Sequence, residues 1–367
     1  MMKLLITSVG SLLGQNILDA IESRRNQIVV IGTNSMAENP RNFRCDTVYL
    51  VSPTNNADFS AEFERICAEE KPDLILPGRD EDSIFLSEWK ESHPDEVADR
   101  IPCGRSLIPR VVFDKYQTHL FCRAHQLPFA DTFLYSDEKS EAGLDDFLAA
   151  HGFPVIVKPR EGFGSNGVFF ILNREQAHEI TQDGETLFQE YLGDPSEILK
   201  YRDLLKRGIP LFFQIPETKQ YAAQTVIAPD GSVGEVFITV NTMVFGRCEY
   251  SEQIHQPEVE KIVRTFVNVF FEHGWYGSTN FQLKPDGKGG WKVYEMNTRL
   301  TGTSSARVLL GYDEFGILAN IFAPALKIPN LSRNEKTKGR VIKYLSDNLL
   351  LDENVKRLRA GRVWKRL

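Results

Sequence analysis

A chain of 367 residues exceeds one ordinary hydrophobic core, and a typical ~150 residues per domain gives two to three domains. Its 42% hydrophobic and 25% charged residues are the average soluble mixture, which excludes a disordered chain, a collagen-like fibre and a small disulfide scaffold. With 43 Lys+Arg against 50 Asp+Glu, the net charge of −7 leaves no global basic field for nucleic acid, so no nucleic-acid partner is expected. Cys45, Cys67, Cys103, Cys122 and Cys248 are scattered with no CxxC pair, which predicts reduced thiols in a cytoplasmic protein. The start, with Lys3, Leu4-Leu5-Ile6 and Leu12-Leu13, has the outline of a signal peptide. It lacks a small-x-small cleavage site, and Gln15, Asn16 and Asp19 follow at once, so a buried strand entering a helix is the better reading. No run reaches the ~20 apolar residues of a membrane span, so no membrane partner is expected.

Residues Lys3–Val9 predict a buried strand, Gly10 to Gly14 a turn, and Gln15–Ser23 a helix through Ile17, Leu18 and Ile21. Ile28–Thr33, Asp46–Val51 and Leu74–Pro77 predict further strands, with a helix over Ala57–Glu70. Strands alternating with helices predict a small doubly wound domain to about residue 112. Gly10-xxx-Gly14 is not a full GxGxxG, and the second strand ends in Thr33-Asn34, where a dinucleotide site wants Asp or Glu. A tight strand-to-helix turn is therefore expected.

The second part starts near Phe113, where Asp114 and Gln117 form a capping box for a helix to about His125. Leu144–His151 predicts another helix. Pro154-Val155-Ile156-Val157-Lys158-Pro159 predicts a buried strand ending on a lysine, followed by a glycine loop over 160–167 and a strand Val168–Leu172. This strand–loop–strand order is not a P-loop. The third part predicts strands Gln220–Ile227 and Ser232–Val240 and a helix Pro257–His273. A hairpin Thr279–Lys284 and Trp291–Asn297 follows. The basic tail, Val355 to Leu367, is expected as a solvated surface piece.

In the last strand Glu295, Asn297 and Arg299 alternate, so their side chains share a face. A turn centred on Lys288-Gly289 sets Gln282 opposite Glu295. Oxygen donors from Gln282, Glu295 and Asn297 suit Mg2+ shared with a phosphate. Lys158 ends an apolar strand before a loop with Gly162, Gly164 and Gly167, whose N–H groups and Ser165 suit an anion. Lys115 opens a helix, where backbone N–H groups favour phosphate. Glu190-Tyr191-Leu192 ends a short apolar strand whose edge suits an adenine, with Glu190 accepting from the exocyclic amine.

Together these pieces resemble the ATP-grasp superfamily. Asp114-Lys115 is similar to its first nucleotide lysine, and Pro154 to Pro159 with the loop to Gly167 to its second lysine and phosphate loop. Gln189-Glu190-Tyr191-Leu192 resembles its adenine hinge. Asn280-Phe281-Gln282-Leu283 and Glu295-Met296-Asn297-Thr298-Arg299 resemble its metal-binding strands. Phe43-Arg44-Cys45-Asp46 and Leu76-Pro77-Gly78-Arg79-Asp80-Glu81 resemble its pre-grasp domain. The glutamine of Asn-x-Gln and the run Asn297-x-Arg299 through Ser304-Ser305 resemble the carbamoyl-phosphate synthetase large subunit, of which the length holds one unit. Three departures stand out. Thr298 replaces the usual proline. Gln220 stands where an acid binds the ribose, with Glu217 close by. Residues 194–215 resemble an insertion, with a helix Ser196–Arg207.

The resemblance implies an α/β fold: a Rossmann-like pre-grasp domain, 1–112, followed by an ATP-grasp domain, 113–330. Two α+β lobes of the latter clamp the nucleotide, with a mobile lid at about 128–193, and a segment 331–367 completes the chain. It implies an ADP-forming ligase using ATP and Mg2+ or Mn2+, acting on a small carboxylate and an amine, as a cytoplasmic protein and a candidate homodimer. Lys115, Lys158 and the loop would hold phosphates, and Arg299 and Lys158 would be catalytic. Arg247, Glu249, Ser304 and Arg307 are candidate substrate contacts. The rival expectations are bicarbonate activation by one subunit of a split enzyme, and a non-catalytic nucleotide-binding module.

Overall fold

The structure, a computed structural model, describes all residues except 95–96, 163, 182–184, 206–216, 245–246, 332–338, 345–347 and 367, and except the side chains of 138, 203–205, 217 and 218. Its first sheet has five strands in the order Val363–Lys365, Thr47–Leu50, Ile28–Asn34, Met2–Ile6 and Leu74–Leu76. The last four are parallel, and Val363–Lys365 joins antiparallel. Leu4, Leu5, Ile6, Val30 and Ile31 are all buried, as a parallel sheet covered on both faces requires. Helices Leu12–Ala20, Phe59–Glu70 and Asp80–Ser92 surround it. The glycine turn is packed by its own neighbours: a Cβ on Gly10 would lie 2.1 Å from Asn34 Nδ2, and one on Gly14 2.3 Å from the Val9 carbonyl. Asn39 Nδ2 and Arg41 also donate to the Gly10 carbonyl, at 3.0 and 2.7 Å. The tight turn expected from the sequence is what forms.

A four-stranded antiparallel sheet follows, in the order Thr132–Tyr135, Thr186–Glu190, Val155–Lys158 and Phe169–Ile171. Leu144 and Leu148 of helix Glu141–His151 pack with Ala177 on Val155, Val157 and Phe188. The third sheet has six antiparallel strands: Trp291–Asn297, Gly277–Pro285, Glu217–Ile227, Phe237–Val244, Arg247–Gln253 and Arg340–Ile342. Helix Pro257–Glu272 lies on it through Val259, Val263, Phe266, Val267 and Phe270, all fully buried. That spacing is the 3.6-residue stripe of an amphipathic helix. Among the described residues no helix is long and apolar enough to cross a membrane.

One expectation changes. The strand expected from Ser232 begins at Phe237, because Asp230 Oδ1 takes the Ser232 N–H at 2.9 Å and Gly231 turns through φ 83°. The tail lies at the surface with most of its residues exposed, but it is anchored rather than loose. Helix Asp352–Gly361 buries Val355 and Leu358, and Val363–Lys365 pairs with Thr47–Leu50 and buries Trp364. All five cysteines are buried free thiols.

Candidate active site

The hairpin Gly277–Pro285 and Trp291–Asn297 sets Asn280 opposite Asn297 and Gln282 opposite Glu295, the pairing expected from the sequence, although the turn is centred on Lys288 and the pairing is reached through a bulge. Beyond Gln282 the register shifts, so Leu283 faces Val293 and Tyr294 is left over as a bulge. A bulge re-aims the backbone. Here the Tyr294 carbonyl accepts from Lys158 Nζ at 3.2 Å.

Lys158 ends Val155–Lys158 with 6% exposure, and its Nζ also donates to Gln189 Oε1 at 2.7 Å. Burial, only partly opposed by the nearby Glu295 carboxylate and reinforced by Lys115, pushes its ammonium down to about 7. A lysine held so far below its ordinary range is ready to gain a proton when an anion arrives.

Lys115 opens the helix Lys115–Ala124, whose cap is Asp114 accepting from the Tyr116 and Gln117 N–H groups at 2.9 and 3.1 Å. Lys115 Nζ reaches the Gly162 carbonyl at 3.1 Å, and its N–H bonds the Arg160 carbonyl at 2.9 Å. Arg160 in turn pairs with Asp114 at 2.5 Å and Glu185 at 3.2 Å. Burial raises the Asp114 carboxyl, but hydrogen bonds from Arg160 and the helix N–H groups outweigh it and hold the carboxyl low. The loop backbone takes φ of 135°, 65° and 72° at Gly162, Gly164 and Gly167, and 59° at Ser165. Glycine supplies this left-handed path at little cost. Val168 and Phe169 beside it are exposed.

Lys115, Gly162, Glu295, Asn297 and Asp80 line one cleft. Arg299, 7% exposed, lies next to it: its Nη2 donates to Asp80 Oδ2 at 2.6 Å and its Nη1 to the Leu300 carbonyl at 3.2 Å. Its buried Nε has no hydrogen-bond partner among the described residues. Gln282 turns its Nε2 toward Glu295 Oε1 at 3.4 Å, while its Oε1 accepts from Gln220 at 2.8 Å. Asn297 Nδ2 lies 3.4 Å from Asn280 Oδ1.

Glu190 ends Thr186–Glu190 with its carboxylate already engaged. It accepts from Lys292 Nζ at 2.5 Å and the Asp131 N–H at 2.7 Å, and His151 Nδ1 lies 3.6 Å away. Burial would raise this carboxyl; His151, Lys292 and the Asp131 N–H outweigh it and bring it to about 2. Both hydrogen bonds fall on Oε1, and Oε2 has only His151 beside it, so acceptor positions remain on this carboxylate. Asp131, His151 and Glu190 hold ligand atoms within 4.8 Å of one another, but the Lys292 ammonium, 3.3 Å from Asp131, already balances that charge. Leu192 is buried, and Lys284 Nζ lies 5.6 Å over the Tyr191 ring. The Glu217 side chain lies outside the described residues.

The four candidate substrate contacts differ in exposure. Arg247 and Glu249 are exposed on Arg247–Gln253, whereas Ser304 and Arg307 are each 1% exposed. Arg307 pairs with Glu314 at 3.1 Å and donates to Ser304 Oγ and Thr301 Oγ1, each at 3.0 Å. Gln224 and Ser278 also bond Glu314. Ser304 and Arg307, expected as substrate contacts, are members of a buried network. Asp80, Lys292 and the Tyr294 carbonyl also adjoin these residues, and of the three only Asp80 lies in a sequence motif, Gly78-Arg79-Asp80-Glu81.

No family model matches the sequence. The chain is 30% identical over 168 residues to the formate-dependent phosphoribosylglycinamide formyltransferase of Salmonella paratyphi C, covering 45% of this chain and 40% of that protein. It thus spans well under half the length of that curated relative. Among solved structures, the N5-carboxyaminoimidazole synthetase of Staphylococcus aureus complexed with ADP superposes with TM-score 0.64 at 13% identity, over 90% of this chain and 79% of that one. The L-amino acid ligase of Bacillus licheniformis gives TM-score 0.62 at 14% identity, over 88% and 74%. At these identities the structural likeness is one of fold.

Proposed function

On the premise that this chain carries the ATP-grasp fold, we propose that it is an ADP-forming ligase joining a small carboxylate to an amine. The observation that supports this most is the convergence of Lys115, Gly162, Glu295, Asn297 and Asp80 on one cleft, with Lys158 and Arg299 beside it. The formyltransferase likeness and the amino acid ligase neighbour point to the same class of chemistry. The narrower likeness to carbamoyl-phosphate synthetase rests on the sequence motifs alone.

The donor set fits a phosphate-bound divalent ion. Glu295 supplies a carboxylate, and Asn297 and Gln282 supply amide oxygens once the coupled Gln282 and Gln220 amides turn over together. When bound, Mg2+ would neutralise phosphate charge. Lys115 and Lys158 bind the nucleotide phosphates, and the glycine loop closes over them and excludes water from a reactive acyl phosphate. Arg299, with its unsatisfied buried Nε, binds the transferring phosphoryl group and then the oxyanion formed on amine attack.

The test is phosphate release against a panel of small acids and amines, singly and in pairs. Release that requires one acid and one amine together supports the ligase. Release with bicarbonate and no amino acid would favour the bicarbonate reading, and none with any pair would favour the non-catalytic module. Glu295→Gln is expected to weaken the Mg2+ dependence of ATP binding at least tenfold, about 1.4 kcal/mol, read by calorimetry across a Mg2+ series. Unchanged Mg2+ dependence would remove Glu295 from the metal set.

A further inference from the structure

Arg299 lies just past the strand Trp291–Asn297, in the grasp part of the chain. Its one side-chain partner among the described residues, Asp80, opens the helix Asp80–Ser92 of the first domain, 219 positions earlier. The contact is short, 2.6 Å, and nearly dry: the two side chains are 7% and 21% exposed. The same helix grips the neighbouring backbone, since Ser83 Oγ donates to the Thr298 carbonyl at 3.0 Å. One turn of helix thus fixes both the main chain at Thr298 and the guanidinium at Arg299. Asp80 also lines the cleft with Lys115 and Glu295. A planar guanidinium held on one edge by a carboxylate and at Nη1 by the Leu300 carbonyl has its orientation set. Its Nε is left with donor capacity to spare.

We propose that Asp80 is a positioning residue for Arg299: the first domain sets the angle at which the grasp domain's guanidinium meets the transferring phosphoryl group. This rests on the ligase reading for the role of Arg299, but the contact itself can be tested apart from turnover. Carboxylates that orient metal-ligating histidines cost about 10–100-fold when lost, and the same order is taken for one that orients a guanidinium. Such a carboxylate acts only through that group, so its effect vanishes when the group is gone.

The experiment uses the full chain and makes Asp80→Asn and Asp80→Glu, each alone and with Arg299→Gln. Asp80→Asn is expected to lower kcat for ADP formation about 10–100-fold and to shift the KM for ATP less than about twofold. Asp80→Glu recovers part of kcat, and Asp80→Asn adds no further loss to Arg299→Gln. The Arg299 Nε–H resonance in a 15N-edited spectrum, assigned by its absence in Arg299→Gln, is expected to shift and broaden in Asp80→Asn. Additive losses in the double variant, or an unchanged kcat with only a lower Tm, overturn the proposal. If the wild type forms no ADP with any acid and amine, the ligase reading falls. The resonance then decides the positioning claim by itself: an unmoved signal in Asp80→Asn overturns it.

Discussion

Lys158→Ala is expected to slow ADP formation by about 10²–10³-fold, measured as phosphate release under saturating ATP. The ammonium is buried, and its two fixed acceptors, Gln189 Oε1 and the Tyr294 carbonyl, hold it where its third N–H can donate to a phosphate. Alanine removes the charge and leaves both acceptors unmatched. That costs about 1–3 kcal/mol of stability, partly offset because a desolvated cation also goes. A melting curve separates this folding cost from the catalytic loss. The pH dependence carries a sign that can be checked. With its ammonium lowered to about 7, Lys158 is protonated in acid and neutral in mild alkali. A bound polyphosphate favours the charged form and raises that value. Nucleotide binding is therefore expected to take up close to one proton at about pH 8.5 and almost none at about pH 6. Calorimetry in buffers of different ionisation enthalpy reads the uptake directly, and Lys158→Met should abolish it. Equal uptake in the variant would place the titrating group elsewhere.

The second large effect is structural. Arg307→Ala is expected to destabilise the fold by about 3–5 kcal/mol, read as a drop in the urea midpoint. Both partners of the pair are 1% exposed, so removing Arg307 strands the Glu314 charge among Gln224, Ser278 and Ser304. The loss comes from the abandoned charge rather than from the pair's own worth. Replacing both at once, Arg307→Met with Glu314→Leu, should therefore recover most of the stability. If the double variant is as unstable as the single, the neutral members of the network carry the energy instead.

These cases show where a sequence is legible. The facing of Gln282 and Glu295 agrees with the expected register, but the pairs beside the turn are centred on Lys288, and only the extra residue at Tyr294 brings Gln282 opposite Glu295. The Tyr294 bulge has no local signal, because its purpose is a lysine 136 positions away. Lys158 could be singled out because a charge ending Val155-Ile156-Val157 needs an anion or a dipole, and it has carbonyl oxygens to meet it. Arg307 is the opposite case: polarity alone does not tell a rim from a core. Its burial depends on Glu314, which comes back to it past the positive-φ turn at Gly311. Lys356, Arg357 and Arg359 dominate the composition of the tail and are exposed, which hides its anchor. Val355 and Leu358, three apart on one helix face, carried the pattern that mattered.

The strand Val363–Lys365 has a consequence for how the chain is made. The Leu50 N–H bonds the Arg362 carbonyl at 2.7 Å, and Arg362 Nε reaches the Leu50 carbonyl across 312 positions of sequence. Until those residues leave the ribosome, Thr47–Leu50 is an uncovered sheet edge. At ordinary rates of synthesis that interval is about 15–60 s, during which the open edge can pair with a neighbouring nascent chain. The second and third sheets are therefore translated before this edge of the first can be closed, and Val363–Lys365 acts as its clasp.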